Sequence, residues 1–264
     1  MTNERQSSAQ PPPVEGFDAR GALDAELAAA RRALRDDDPT VAVHQARVRL
    51  KRIRAIARLL TASQPEAAKA LNAAARAVMA GLSQARDLAA LEACARDRNL
   101  PTLAEALAAR RAAMGKPPID AARRQLTFLA RTVRAIAPVE SGDIERGVQR
   151  LARRARKACQ AARGEREPEA RHTWRKREKD RLHALDVLGA HWPKSIRRRR
   201  RTGKRLGRAL GAERDVLLLL DALAHDAELA AIAGPDASDQ LDRHRRFLAD
   251  RADRLGRAVH RHGS

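Results

Sequence analysis

Apolar side chains return every three or four positions between residues 43 and 60. Val43, Ala46, Leu50, Ile53, Ala57 and Leu60 fall on one side of a helix that turns about 100° per residue. The same period predicts helices at about 17–36, 40–61, 65–99 and 101–137, the last two broken near Gly81 and Gly115. It predicts four more at about 143–163, 168–189, 193–233 and 236–261, with Pro168, Pro193 and Pro235 near helix starts, where a missing N–H does no harm. Ala and Leu supply most of the apolar content, while β-branched and aromatic residues are sparse. The expected class is therefore all-α.

The stretch 43–60 returns in altered form at 171–188. His44, Arg47, Arg49 and Lys51 fall on His172, Arg175, Arg177 and Lys179 at a constant offset of 128, and Arg86-Asp87 falls on Arg214-Asp215 at the same offset. Two motifs in one register imply a duplication. Short connections favour antiparallel neighbours, so the expectation is two tandem four-helix bundles, 17–140 and 141–264, related by a pseudo-two-fold and divided near Ser141-Gly142-Asp143. Residues 1–16 are polar, include Pro11-Pro12-Pro13 and lack the apolar core of a signal peptide, so they read as a disordered tail. No apolar run reaches membrane-spanning length, and no membrane partner is expected.

Charge changes the picture. The formal net charge is +21, beyond what solubility needs, and a polyanionic partner is the simplest counterweight. The cations are patterned. His44, Arg47, Lys51, Arg54 and Arg58 lie within about 80° of arc beside the apolar face, and no acid occurs from 41 to 64. Like charges at these spacings repel by a few tenths of a kcal/mol per pair. In the second copy His172, Arg175, Lys179 and His183 follow the same line, while Leu182 and Asp186 replace the equivalents of Arg54 and Arg58. A second ladder, Arg197, Arg201, Lys204 and Arg208, follows on the next helix; its first-half counterpart keeps only Lys69 and Arg76. A histidine among cations is held neutral by like charge and gains its proton when phosphate arrives; even neutral, it can donate one hydrogen bond.

No metal or cofactor is expected. Neither carboxylate nor second histidine stands at i+3 or i+4 from His44, and the lone Cys94 and Cys159 have no metal-ligand spacing. Two unpaired cysteines fit a reducing cytoplasm. Arg86-Asp87 and Arg214-Asp215 open apolar helical segments, where the Asp is expected to pair with an arginine of a neighbouring helix.

These motifs resemble the CHAD domain, the conserved histidine α-helical domain, over about residues 17–261. His44-x-x-Arg47-x-x-x-Lys51-Arg52-Ile53-Arg54 is similar to that family's first signature, His172-x-x-Arg175-Lys176-x-x-Lys179 to its second and Ala85-Arg86-Asp87-Leu88 to its third. The resemblance implies two four-helix bundles about a basic groove or pore that binds inorganic polyphosphate, often on cytoplasmic granules. It assigns binding roles to His44, Arg47, Lys51, Arg54, His172, Arg175 and Lys179. Asp180, Leu182 and His183 depart from the basic and aromatic residues usual in the second signature.

A competing partner is nucleic acid bound without sequence preference. The absence of Tyr and the scarcity of Phe and Trp leave few platforms for stacking single strands. An enzyme is the third reading, but no P-loop, nucleophile elbow or carboxylate cluster occurs. Glu165, Glu167 and Glu169 alternate only in an expected loop with Pro168. Binding without turnover, and no catalytic residue, is the expectation.

Overall fold

The computed structural model describes residues 16–82, 84–115, 117–165, 167–191 and 194–260, with the side chains of 84–86, 164–165, 190 and 194–199 not described. The proposed tail, except Gly16, the helix start at Pro193 and the Arg197 side chain lie outside the described residues.

Among the described residues all regular structure is helical. The first half forms α1 (Ala19–Ala33), α2 (Pro39–Leu60), α3 (Pro65–Gly81), α4 (Gln84–Asp97), α5 (Pro101–Ala113) and α6 (Ile119–Arg134). The second forms α7 (Ser141–Glu165), α8 (Pro168–Leu188), α9 (Lys194–His225), α10 (Ala227–Ala233) and α11 (Ala237–His260), with one 3₁₀ turn at Gly189–His191. Local chemistry sets the boundaries. Asp18 caps α1 through Gly21 N at 2.9 Å, and Asp38 caps α2 through Thr40 N at 2.7 Å, followed by Pro39 in the first turn. The expected break near Gly81 separates α3 from α4, whereas α9 runs unbroken through the equivalent region. The expected helix 193–233 is instead two, because the Asp226 carboxylate accepts from Leu229 N at 3.1 Å and starts α10.

Helices α1, α2, α3 and α6 pack around one another, as do α7, α8, α9 and α11, and α2 packs on both α7 and α8. One apolar cluster joins α1, α2, α3 and α6 to Ile144 and Leu151 of α7 and to Leu182, Leu185 and Leu188 of α8, so it continues past residue 141. A second gathers around Trp174 between α7, α8, α9 and α11. The third joins α4 and α5 to the end of α9, α10 and the start of α11. The α4–α5 pair thus buries its apolar face on elements of the other half, and Arg110 of α5 ties down Asp226 and Glu228 there.

Two features fix α2, α7 and α8. A Cβ on Gly147 of α7 would lie 2.3 Å from the Leu59 carbonyl oxygen and 2.8 Å from Leu59 Cα, so glycine allows α7 to touch the α2 backbone. On α8, buried Arg171 bonds Glu213 of α9, with Nη2–Oε2 at 2.9 Å, and Asp253 of α11 at 3.0 Å. Its guanidinium carbon lies 5.5 Å from the Trp174 ring centroid. Deleting such a buried partner costs roughly 3–5 kcal/mol, because the opposing charges are stranded.

Candidate anion-binding site

The α2 ladder is not uniformly exposed. His44 is exposed, whereas Arg47 is buried and its Nη1 donates to the Met79 carbonyl oxygen at 2.6 Å. Arg47 ties α2 to the last turn of α3, where helix carbonyls lack intrahelical donors, while its charge still acts on Arg54. Arg54, half-buried, donates from Nε to Asn72 Oδ1 of α3 at 3.0 Å. Arg58 donates from Nη1 to the Arg54 carbonyl at 2.9 Å and sets Nε 3.1 Å from Asp180 Oδ2 of α8. Arg49 and Arg52, off the ladder, pair with Glu26 of α1. The acid missing from the α2 sequence is thus supplied by its neighbours.

Cations of both halves converge where α2 meets α8. Arg58, Arg177, Arg54 and Arg154 of α7 all act on Asp180, and Arg76, exposed on α3, acts on Arg54 and Arg58. Burial, reinforced by Arg58, pushes the Arg54 guanidinium down to about 10; burial likewise lowers Arg58. Burial also raises Asp180 despite the arginines beside it. At the same junction His183 is pushed down to about 4, first by burial and then by Lys51 of α2 and Lys179 of its own helix. His183 is therefore a neutral imidazole at pH 7, held between cations from both copies of the motif.

The remaining ladder residues are placed elsewhere. His172 and Arg175 line a small cleft with Arg214 of α9 and Arg245 of α11. Burial, then Lys176 and Arg214, lowers His172, and its Nδ1 has no hydrogen-bond partner. Lys69 is exposed on α3. Arg201 and Arg208 are exposed on α9, while Lys204 Nζ lies 3.3 Å from Asp186 Oδ1 and Arg200 Nη2 2.6 Å from the same atom. Asp215 lines a different cavity with Cys94, Asp97, Arg98 and His244. Burial raises both thiols, Cys94 and Cys159, to about 11. Among the described residues no group of three or more His, Cys, Asp or Glu could hold a metal ion.

The CHAD domain family profile matches residues 18–224. The chain belongs to the CHAD domain family. The match ends inside α9, so α10 and α11 lie beyond it. The fold extends further: the crystal structure of the CHAD domain from the plant Ricinus communis resembles this one with a TM-score of 0.63, covering 97% of this chain and 98% of that one at 20% identity. A search of curated proteins gives no match. As a family, CHAD domains are associated with polyphosphate- and triphosphate-type ligands. No helix among the described residues is long and apolar enough to cross a membrane.

Two contributors at the α2–α8 junction lie outside the duplicated motif. Arg150 and Arg154 lie on α7, where Arg146, Arg150, Arg153, Arg154 and Lys157 recur at helical spacing on one face, outside the repeated histidine motif. The Arg150 guanidinium donates to the Arg58 carbonyl, and Arg154 acts on Arg58 and Asp180. Gly147, one turn earlier, was the available signal, because it permits the close approach.

Proposed function

We propose that this CHAD protein binds inorganic polyphosphate along a basic groove between α2 and α8, without turning it over, and that it associates with polyphosphate granules in the cytoplasm. The observation that carries the reading is the gathering of Lys51, Arg54, Arg58, Arg154, Arg177 and Lys179 from both histidine-bearing halves around Asp180 and His183. A polyphosphate chain has no bases or sugars to read, so recognition rests on spaced cations and hydrogen-bond donors. Arginine forks suit paired phosphoryl oxygens. His172, with its unpartnered Nδ1, and Arg175 extend the line along α8.

The test is competition binding of labelled long-chain polyphosphate at near-physiological salt, against duplex DNA and RNA, for wild type and a Lys51→Gln/Lys179→Gln variant. Arg47 is left intact because it holds α2 to α3. Preference for polyphosphate of about tenfold, equivalent to about 1.4 kcal/mol, that disappears in the variant is the expected outcome. Equal competition by nucleic acid, or no loss in the variant, would mean that net charge alone does the binding. Release of orthophosphate on prolonged incubation would refute binding without turnover.

A further inference from the structure

We propose that Asp180 is a built-in counter-anion, holding Arg58 and Arg177 until a denser polyanion displaces it, and so sets how much charge an anion must carry to bind between α2 and α8. This deepens the reading above and rests on it for the identity of the chain.

In the repeat register Asp180 falls on Arg52, so a negative charge stands where the first copy has a positive one. The carboxylate is half-buried, and one oxygen, Oδ2, lies 3.1 Å from Arg58 Nε and 3.8 Å from Arg177 Nη1. It is thus a phosphoryl-like oxygen lodged among cations. Arg58 and Arg54 face it from α2, Arg154 from α7 and Arg177 from α8 itself. Its own burial works against its charge, and positive charge remains in excess around it. Six residues along α8, Asp186 repeats the device, holding Arg200 and Lys204 of α9.

A tethered carboxylate competes at an effective concentration on the order of millimolar or above. A small free anion must defeat that competitor unaided. A chain already held at Lys51 or Lys179 presents its next phosphoryl group at comparable effective concentration, and so displaces Asp180. Asp180 therefore acts as a specificity determinant that favours long chains over isolated phosphates.

The experiment is calorimetric titration of the full chain, as wild type, Asp180→Asn and Asp120→Asn, with inorganic triphosphate, long-chain polyphosphate and heparin. Asp120, an exposed residue of α6 paired with Arg123, controls for the same change in net charge. We expect triphosphate affinity to rise about tenfold in Asp180→Asn, with a smaller gain for the long chain and a change within about twofold in Asp120→Asn. Equal behaviour of the two variants on all three anions overturns the proposal, as would a structural ion pair that loses stability without any gain in affinity. Wild type and Asp180→Asn binding polyphosphate alike, with no gain for triphosphate, would sink the proposal and leave the polyphosphate reading standing. A gain for heparin with no polyphosphate binding would do the reverse, a gain for triphosphate with no binding of either long chain would sink both, and so would no binding of any anion. If Asp180→Asn loses its helical circular dichroism, Asp180→Ser replaces it. A crystal structure of wild type soaked in triphosphate gives an independent readout. Separation of Arg58 from Asp180 is expected there, and bound triphosphate beside an intact pair would overturn the proposal.

Discussion

At the scale of single residues, the same side-chain type takes different work from its surroundings. Arg47 and Arg54 share one stripe of α2, yet Arg47 closes the end of α3 while Arg54 stands in the cationic cluster. Helical spacing fixes azimuth, not depth, and depth decides which cation meets a ligand. His183 offers a pH test. Its folded value of about 4 lies below the ordinary 6.5, so the unfolded chain takes up a proton first as pH falls. The stability it contributes is present above about pH 6.5 and is lost between there and pH 4. Urea unfolding should show wild type losing about 2 kcal/mol more than His183→Gln between pH 7.5 and pH 5. Parallel losses in the two proteins would exclude this role. An anion at the junction favours the charged imidazole, so binding should be accompanied by proton uptake.

At the scale of elements, the helices were largely legible because each is signalled locally. A capping aspartate marks α1, a capping aspartate with a first-turn proline marks α2 and a first-turn proline marks α8, each in agreement with the apolar period. The break at Asp226 was hidden because the apolar pattern of α9 continues into α10, and only the cap divides them. How the elements approach depends on glycine. Gly147→Ala should destabilise the protein by about 1–3 kcal/mol in a denaturant titration, despite the better helix propensity of alanine, because Leu59 backbone cannot yield. Gly211→Ala on α9, which would meet nothing within 4 Å, should instead stabilise by up to about 1 kcal/mol. Equal effects from the two substitutions would remove the argument for close α2–α7 contact.

At the scale of the whole molecule, an excess of +21 is carried by a fold in which Glu213, Asp253, Asp180 and Asp186 are spent internally on Arg171, on Arg58 and on the start of α9. Binding of a polyanion should therefore release counterions. A chain engaging on the order of six phosphoryl charges should lose a few hundredfold in affinity between about 50 and 200 mM salt. Little salt dependence in that titration would argue against binding through the cations. The sequence by itself determined the helical class, the repeated histidine motif and the basic charge pattern, because periodicity, register and charge are written in neighbouring residues. Only the tertiary structure decided that α4 and α5 pack on α9 and α10, that Arg154 joins the α2–α8 junction and that Arg47 is buried against the end of α3. It also decided that Asp180 sits among arginines from three helices. Each of those facts depends on contact between segments distant in the chain, where packing depth and close backbone approach select partners that no local pattern specifies.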